Sequence, residues 1–164
     1  MKNLNIAAKI IICDYKELNS IEKNVVNYAK EMLKNSYSPY SSFRVGAAVL
    51  LSNNEIISGS NQENAAYPSG LCAERTALFY ANSKFPDESV SIIAVAAFYK
   101  GDYTKEPVTP CGACRQVIME TQNRYNSPVK LILYGKEKIY KVETISDLLP
   151  LAFCTCVKNN NSKI

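Results

Sequence analysis

The 164-residue chain contains no histidine. A histidine-centred catalytic triad therefore cannot be built, and any general acid/base work falls most naturally to a carboxylate. Any metal site must likewise rely on thiolates and carboxylates. No stretch approaches the roughly 20 consecutive apolar residues of a membrane-spanning helix. The short run Ile10-Ile11-Ile12-Cys13 is cut off by Lys9 and Asp14, which argues against a secretory or lipoprotein signal and for a cytoplasmic protein. Charge of one sign is also scarce, the net being +4. The lysines are scattered except near Lys136, Lys138 and Lys141, where Tyr134 and Tyr140 also lie. Nucleic-acid binding calls for a longer basic stripe, so neither a nucleic-acid nor a membrane partner is expected. Internal repeats and low-complexity segments are absent too.

What is present describes a soluble globular chain: hydrophobic residues make up 47% and charged ones 21%. Its length suits one domain with a core that needs no staples. Residues 1–19 read as an N-terminal extension with room for an edge strand through Ile10 to Asp14. Residues 20–157 read as the single domain, and 158–164 as a polar tail. Six cysteines could form three bridges. In a reducing compartment, three of them have a better use as metal ligands.

Those three are Cys72, in Cys72-Ala73-Glu74-Arg75, and Cys111 and Cys114, in Pro110-Cys111-Gly112-Ala113-Cys114. Each segment follows turn chemistry and opens a helical pattern. Three thiolates with an open fourth position for water, and a non-ligating carboxylate nearby, are what a catalytic zinc site needs. One zinc per chain is expected. Glu74 is the candidate proton carrier. Thiolates at helix N-termini lie against the positive dipole ends, which lowers the cost of ionising all three. Three thiolates leave the zinc cluster one unit negative, and Arg75, one turn from Cys72, can donate to a ligand sulfur and offset this.

Apolar spacing at Ile21, Val25, Tyr28, Ala29, Met32 and Leu33 predicts a first helix, capped by Asn19 or Ser20 and stopped by Ser38-Pro39. Phe43 to Leu51 and Glu55 to Ser58 predict a hairpin across Ser52-Asn53-Asn54. Gly46 within it implies that something approaches the backbone closely. A second helix is expected from Leu71 to Asn82, burying Ala73, Ala77, Leu78 and Ala81. A doubly covered strand follows from Val90 to Phe98. Thr109 as cap and Pro110 at the first helical position predict a third helix to about Gln122. A strand is expected at Val129 to Tyr134, then a short helix from Thr144 to Leu149 with Asp147 placed for a capping box. The order implies an α/β fold: a three-layer α/β/α sandwich around a mixed five-stranded sheet.

The pair of cysteine motifs is close to the signature of zinc-dependent nucleobase deaminases, with Cys72 where that pattern has histidine. More specifically, Asn61-Gln62-Glu63-Asn64-Ala65-Ala66-Tyr67, Cys72-Ala73-Glu74-Arg75 and Pro110-Cys111-Gly112-Ala113-Cys114-Arg115-Gln116 resemble the small homotetrameric cytidine deaminases. Ser38-Pro39-Tyr40-Ser41, Phe43, Val45-Gly46-Ala47-Ala48, Leu148-Leu149-Pro150 and Phe153 extend the likeness over about residues 20–153. The resemblance implies a cytidine deaminase-like fold and hydrolytic deamination of cytidine or deoxycytidine at C4, in pyrimidine salvage. It implies that Cys72, Cys111 and Cys114 hold zinc and that Glu74 shuttles protons. It further implies that Asn61 and Glu63 hold the ribose hydroxyls, that Phe43 stacks near the base, and that the backbone N–H of Ala73 meets the pyrimidine carbonyl. A homotetramer with active sites shared between subunits is also implied. Three features depart from the pattern: Arg44 in place of proline, Leu151 in place of glycine, and a longer stretch over residues 99–107. Two rival readings stay open on residues alone. One is a sister deaminase acting on another aminopyrimidine, such as blasticidin S; the other is a non-catalytic zinc-stapled module.

Overall fold

The computed structural model describes residues 1–154; Cys156 and the polar tail at 158–164 lie outside the described residues. Among the described residues, seven strands form one mixed sheet. They are β1 (Ile11–Cys13), β2 (Arg44–Leu51), β3 (Ile56–Ser60), β4 (Val90–Tyr99), β5 (Asp102–Tyr103), β6 (Lys130–Tyr134) and β7 (Ile139–Val142). The order is β1-β7-β6-β4-β2-β3, with β5 folded back on the end of β4. The expected five strands are thus too few. β7 is a four-residue Ile-Tyr-Lys-Val alternation amid lysines, and β5 is only two residues long. Both are too short to stand out as periodicity.

The β2–β3 and β2–β4 pairs are antiparallel, whereas β4 and β6, joined through a helix, are parallel. That is the pairing a helical crossover imposes. The helices are α1 (Ser20–Glu31), α2 (Ala73–Lys84) and α3 (Gly112–Tyr125). α1 packs on one face of the sheet; α2 and α3 cover the other. β4 serves both cores by alternation, giving Ile93 and Val95 to the α2/α3 side and Ile92, Ala94 and Ala96 to the α1 side. Among the described residues no helix is long and apolar enough to cross a membrane.

Asn19 caps α1: its side chain accepts from Glu22 N, and the Glu22 carboxylate in turn accepts from Asn19 N. The buried stripe is Glu22, Val25, Val26 and Ala29. The apolar spacing had placed Ile21 and Tyr28 on that face, but both are exposed. Glu22 takes the buried place because it is paired, with Lys141 Nζ at 2.8 Å and Lys130 Nζ at 3.6 Å. Gly46 permits the close approach of α1, since a Cβ there would sit 2.0 Å from the Ala29 carbonyl oxygen. The predicted helix at Thr144 is a single 3-10 turn, Ile145–Asp147. Asp147 makes no capping box there; its carboxylate accepts from Lys9 N instead, at 3.2 Å.

Candidate metal and substrate site

The two cysteine motifs meet because α2 and α3 start side by side. Cys72 is the N-cap of α2, and Cys111, not Thr109, is the N-cap of α3; both have extended backbone. Pro110 lies just outside α3, where its fixed φ suits extended chain as well as helix. Neither cysteine uses its side chain to cap a backbone N–H, which leaves the sulfur for other work. Cys114 follows on the first turn of α3 and is fully buried.

The three sulfurs lie within 4.8 Å of one another, with Cys72 and Cys111 at 3.8 Å. A tetrahedral shell with Zn–S bonds of about 2.3 Å has sulfurs about 3.8 Å apart, so the donor set fits one zinc with a fourth position left open. Among the described residues this is the one His/Cys/Asp/Glu group that meets such spacing. Cys13 packs on the α1 side of the sheet, away from it.

Arg75 Nη2 donates to Cys72 Sγ at 3.8 Å and to the Gly70 carbonyl at 3.3 Å. The Cys114 thiol, with help from Arg75 and Cys111, draws the Cys72 thiol down to about 5, while the Cys72 hydrogen bond and burial push Cys114 up. Cys72 is therefore the sulfur most ready to carry charge. Glu74 is 4% exposed. Burial, and then the Cys72 thiolate, push its carboxyl above the ordinary range.

Phe43, Asn61, Glu63, Cys72, Glu74, Arg75 and Cys111 all line one cavity of about 780 Å³. Ala73, buried behind them, opens α2, where the first N–H groups have no partner within the helix. Asn61 and Glu63 are heavily engaged. Asn61 Oδ1 accepts from Val45 N at 2.8 Å and from Ser36 Oγ at 2.5 Å, and Nδ2 donates to the Phe43 carbonyl at 2.8 Å. Glu63 accepts from Tyr40 N at 2.9 Å, Ser41 N at 3.3 Å and the Ser41 hydroxyl. Those bonds, the Ser41 hydroxyl first among them, hold its carboxyl below the usual range.

In the sequence Ser41 belongs to a motif of the family likeness, and Ser36 belongs to none. Serines close to a proline signal a turn, and nothing in the sequence says which distant side chain the turn will meet. Val95 and Val108 also line the cavity and carry no signal beyond being apolar, and Thr109, which the sequence marks as a helix cap, lines it too.

Residues 19–126 match the family model described as the cytidine and deoxycytidylate deaminase zinc-binding region. The cytidine deaminase of Halalkalibacterium halodurans is 42% identical over 129 residues, 79% of this chain and 91% of that protein. The Sporosarcina psychrophila cytidine deaminase is 41% identical over 133 residues, 81% of this chain and 90% of its own. The crystal structure of cytidine deaminase from Burkholderia pseudomallei superposes with a TM-score of 0.67 at 36% identity, covering 79% of this chain and 97% of that one. A family model matched over more than half the chain, relatives above 40% identity and a shared fold establish that this chain belongs to the cytidine deaminase family.

Proposed function

We propose that the chain is a zinc-dependent hydrolase that deaminates cytidine and deoxycytidine at C4, releasing ammonia and leaving uridine or deoxyuridine. The observation that carries this reading is a three-thiol cluster, two of whose members, Cys72 and Cys111, line one cavity together with the buried Glu74. When bound by Cys72, Cys111 and Cys114, zinc supplies a Lewis acid that lowers the pKa of a coordinated water toward about 7. The protein's own residues do the rest. Glu74 takes one proton from the attacking water and gives it to N3, then takes the hydroxyl proton of the C4 adduct and gives it to the amino group, which leaves as ammonia while C4=O forms, so the carboxylate ends as it began. Its raised pKa suits that role, since an acid/base works best when its pKa lies near the operating pH. Arg75 offsets the negative charge of the thiolate cluster through Cys72.

The substrate is oriented by groups around the cavity. Phe43 faces the base, and the Ala73 N–H at the start of α2 donates to the pyrimidine carbonyl. Asn61 keeps a second Nδ2 proton for a ribose hydroxyl, and the Glu63 oxygens keep lone pairs for ribose O–H donors. Because both side chains also fasten residues 40–45, ribose binding and the shape of that segment are one system.

We further propose a cytoplasmic homotetramer with shared sites. Tyr67, Leu151 and Phe153, each 77% exposed, offer apolar surface that such an assembly would cover. The activity is tested by following cytidine spectrophotometrically with the zinc-loaded protein. Conversion to uridine is expected, and a zinc-loaded, folded protein without turnover would instead support a zinc-stapled module.

A further inference from the structure

Residues 99–107, a stretch that reads as longer than the family pattern, meet the cavity wall through one aromatic ring. Tyr99 ends β4. It stands one step beyond the Arg44–Phe98 pair of the β2–β4 ladder, so it faces Phe43 across the strands. The two ring centroids are 5.6 Å apart, with planes at 49°. Phe43 lines the cavity and Tyr99 does not; Tyr99 backs the ring rather than sharing its work.

Both partners are held from behind. The Phe43 backbone is fixed by its own N–H, which donates to Ser41 Oγ at 3.0 Å, and by its carbonyl, which accepts from Asn61 Nδ2 at 2.8 Å. Only the ring's rotation about its side-chain bonds is left to be set. Tyr99 is placed by the turn at Lys100 and Gly101, whose φ values are +53° and +87°, and by the pairing of Tyr99 with Asp102. Asp102 is bonded to Lys136. Tyr103 packs edge-on against Phe98 and Tyr134, with the Lys30 ammonium 3.7 Å from the Tyr134 centroid and 5.2 Å from that of Tyr103. This hairpin is an anchored support.

We propose that Tyr99 is a positioning residue for the substrate's base: it fixes the plane of the Phe43 ring and thereby tunes affinity without taking part in the reaction. The inference rests on the reading of Phe43 as a base contact. An aromatic pair contributes about 0.5–1.5 kcal/mol beyond area burial, so Tyr99→Ala should raise KM for cytidine about two- to tenfold. Its kcat should stay within about twofold and its zinc content unchanged, and Tyr99→Phe, which keeps the ring, should restore KM. In a Phe43→Ala background, Tyr99→Ala should add nothing.

The chain has no tryptophan, so Tyr99→Trp supplies a single reporter that reads the pair should the alanine variant fold poorly. Its emission should shift saturably with uridine. Unchanged KM in Tyr99→Ala, full additivity with Phe43→Ala, or a Tyr99→Trp emission blind to uridine would each overturn the proposal. If instead Phe43→Ala itself leaves KM unchanged, the base-contact reading fails, and that result is distinguishable from the others.

Discussion

Glu74 is held where ionisation is hardest: 4% exposed, beside Cys72, the sulfur readiest to be a thiolate. A carboxyl with no catalytic duty gains nothing from such a place, because burial raises its pKa and destabilises its charge. Replacing it by glutamine keeps shape and hydrogen-bonding capacity and removes the ability to carry a proton. Glu74→Gln should therefore fold and hold its zinc while turnover falls by at least about 10²–10⁴-fold, and substrate affinity should change far less. Metal analysis beside steady-state kinetics checks this. A fully zinc-loaded variant with near-normal turnover would assign the shuttle to another group. At this scale the sequence was most informative where chemistry dictates spacing. Cys111 and Cys114 must share a helical face, so three residues of separation announce a ligand pair. It was least informative about Asn61 and Glu63, whose bonds to Ser36, Tyr40, Ser41, Phe43 and Val45 reach 16 to 25 residues along the chain. No local pattern encodes such partners.

Among the elements, α1 shows how a polar residue can displace an apolar one from the core. Glu22 closes the Asn19 cap and reaches Lys130 and Lys141 on β6 and β7. Burial alone would raise its pKa, yet the bond from Lys141, then the Asn19 N–H, hold it below the usual carboxylate range. The folded protein thus ionises Glu22 at lower pH than the unfolded chain. Its stabilisation is complete above the unfolded value near ~4.3 and is lost as pH falls through the folded one. Glu22→Gln should be less stable than the native chain by about 1.5–3 kcal/mol at pH 7, the range for hydrogen bonds to charged groups. The gap should close below about pH 4. Urea denaturation across pH measures it; parallel curves would mean that the pairs contribute nothing. The same residue explains part of what periodicity could not read. A helix face is identified by apolar spacing, and Glu22 breaks the spacing, so Ile21 was placed inward. Long elements with uniform chemistry, such as β4, were legible because both faces are covered. β5 and β7 were not, because two and four residues are too few to show a period, and each is held by pairing with the strand just before it.

For the whole molecule, the exposed side chains at Tyr67, Phe79, Tyr80, Leu151 and Phe153 offer surface for the proposed homotetramer. Light scattering should give about four times the 18.2 kDa chain mass; a stable and fully active monomer would refute the assembly. The sheet order carries a different consequence. β1 completes one edge only by pairing with β7, and Lys9 N meets Asp147 across 138 residues of chain. During synthesis, β1 leaves the ribosome long before its partner exists. Closing so long a loop is entropically unfavourable, so this edge forms late, on a sheet whose β2–β3–β4 centre is already in place. Its amides should accordingly exchange with solvent sooner than those of β4, making the β1 edge the first part of the sheet to open and the last to close.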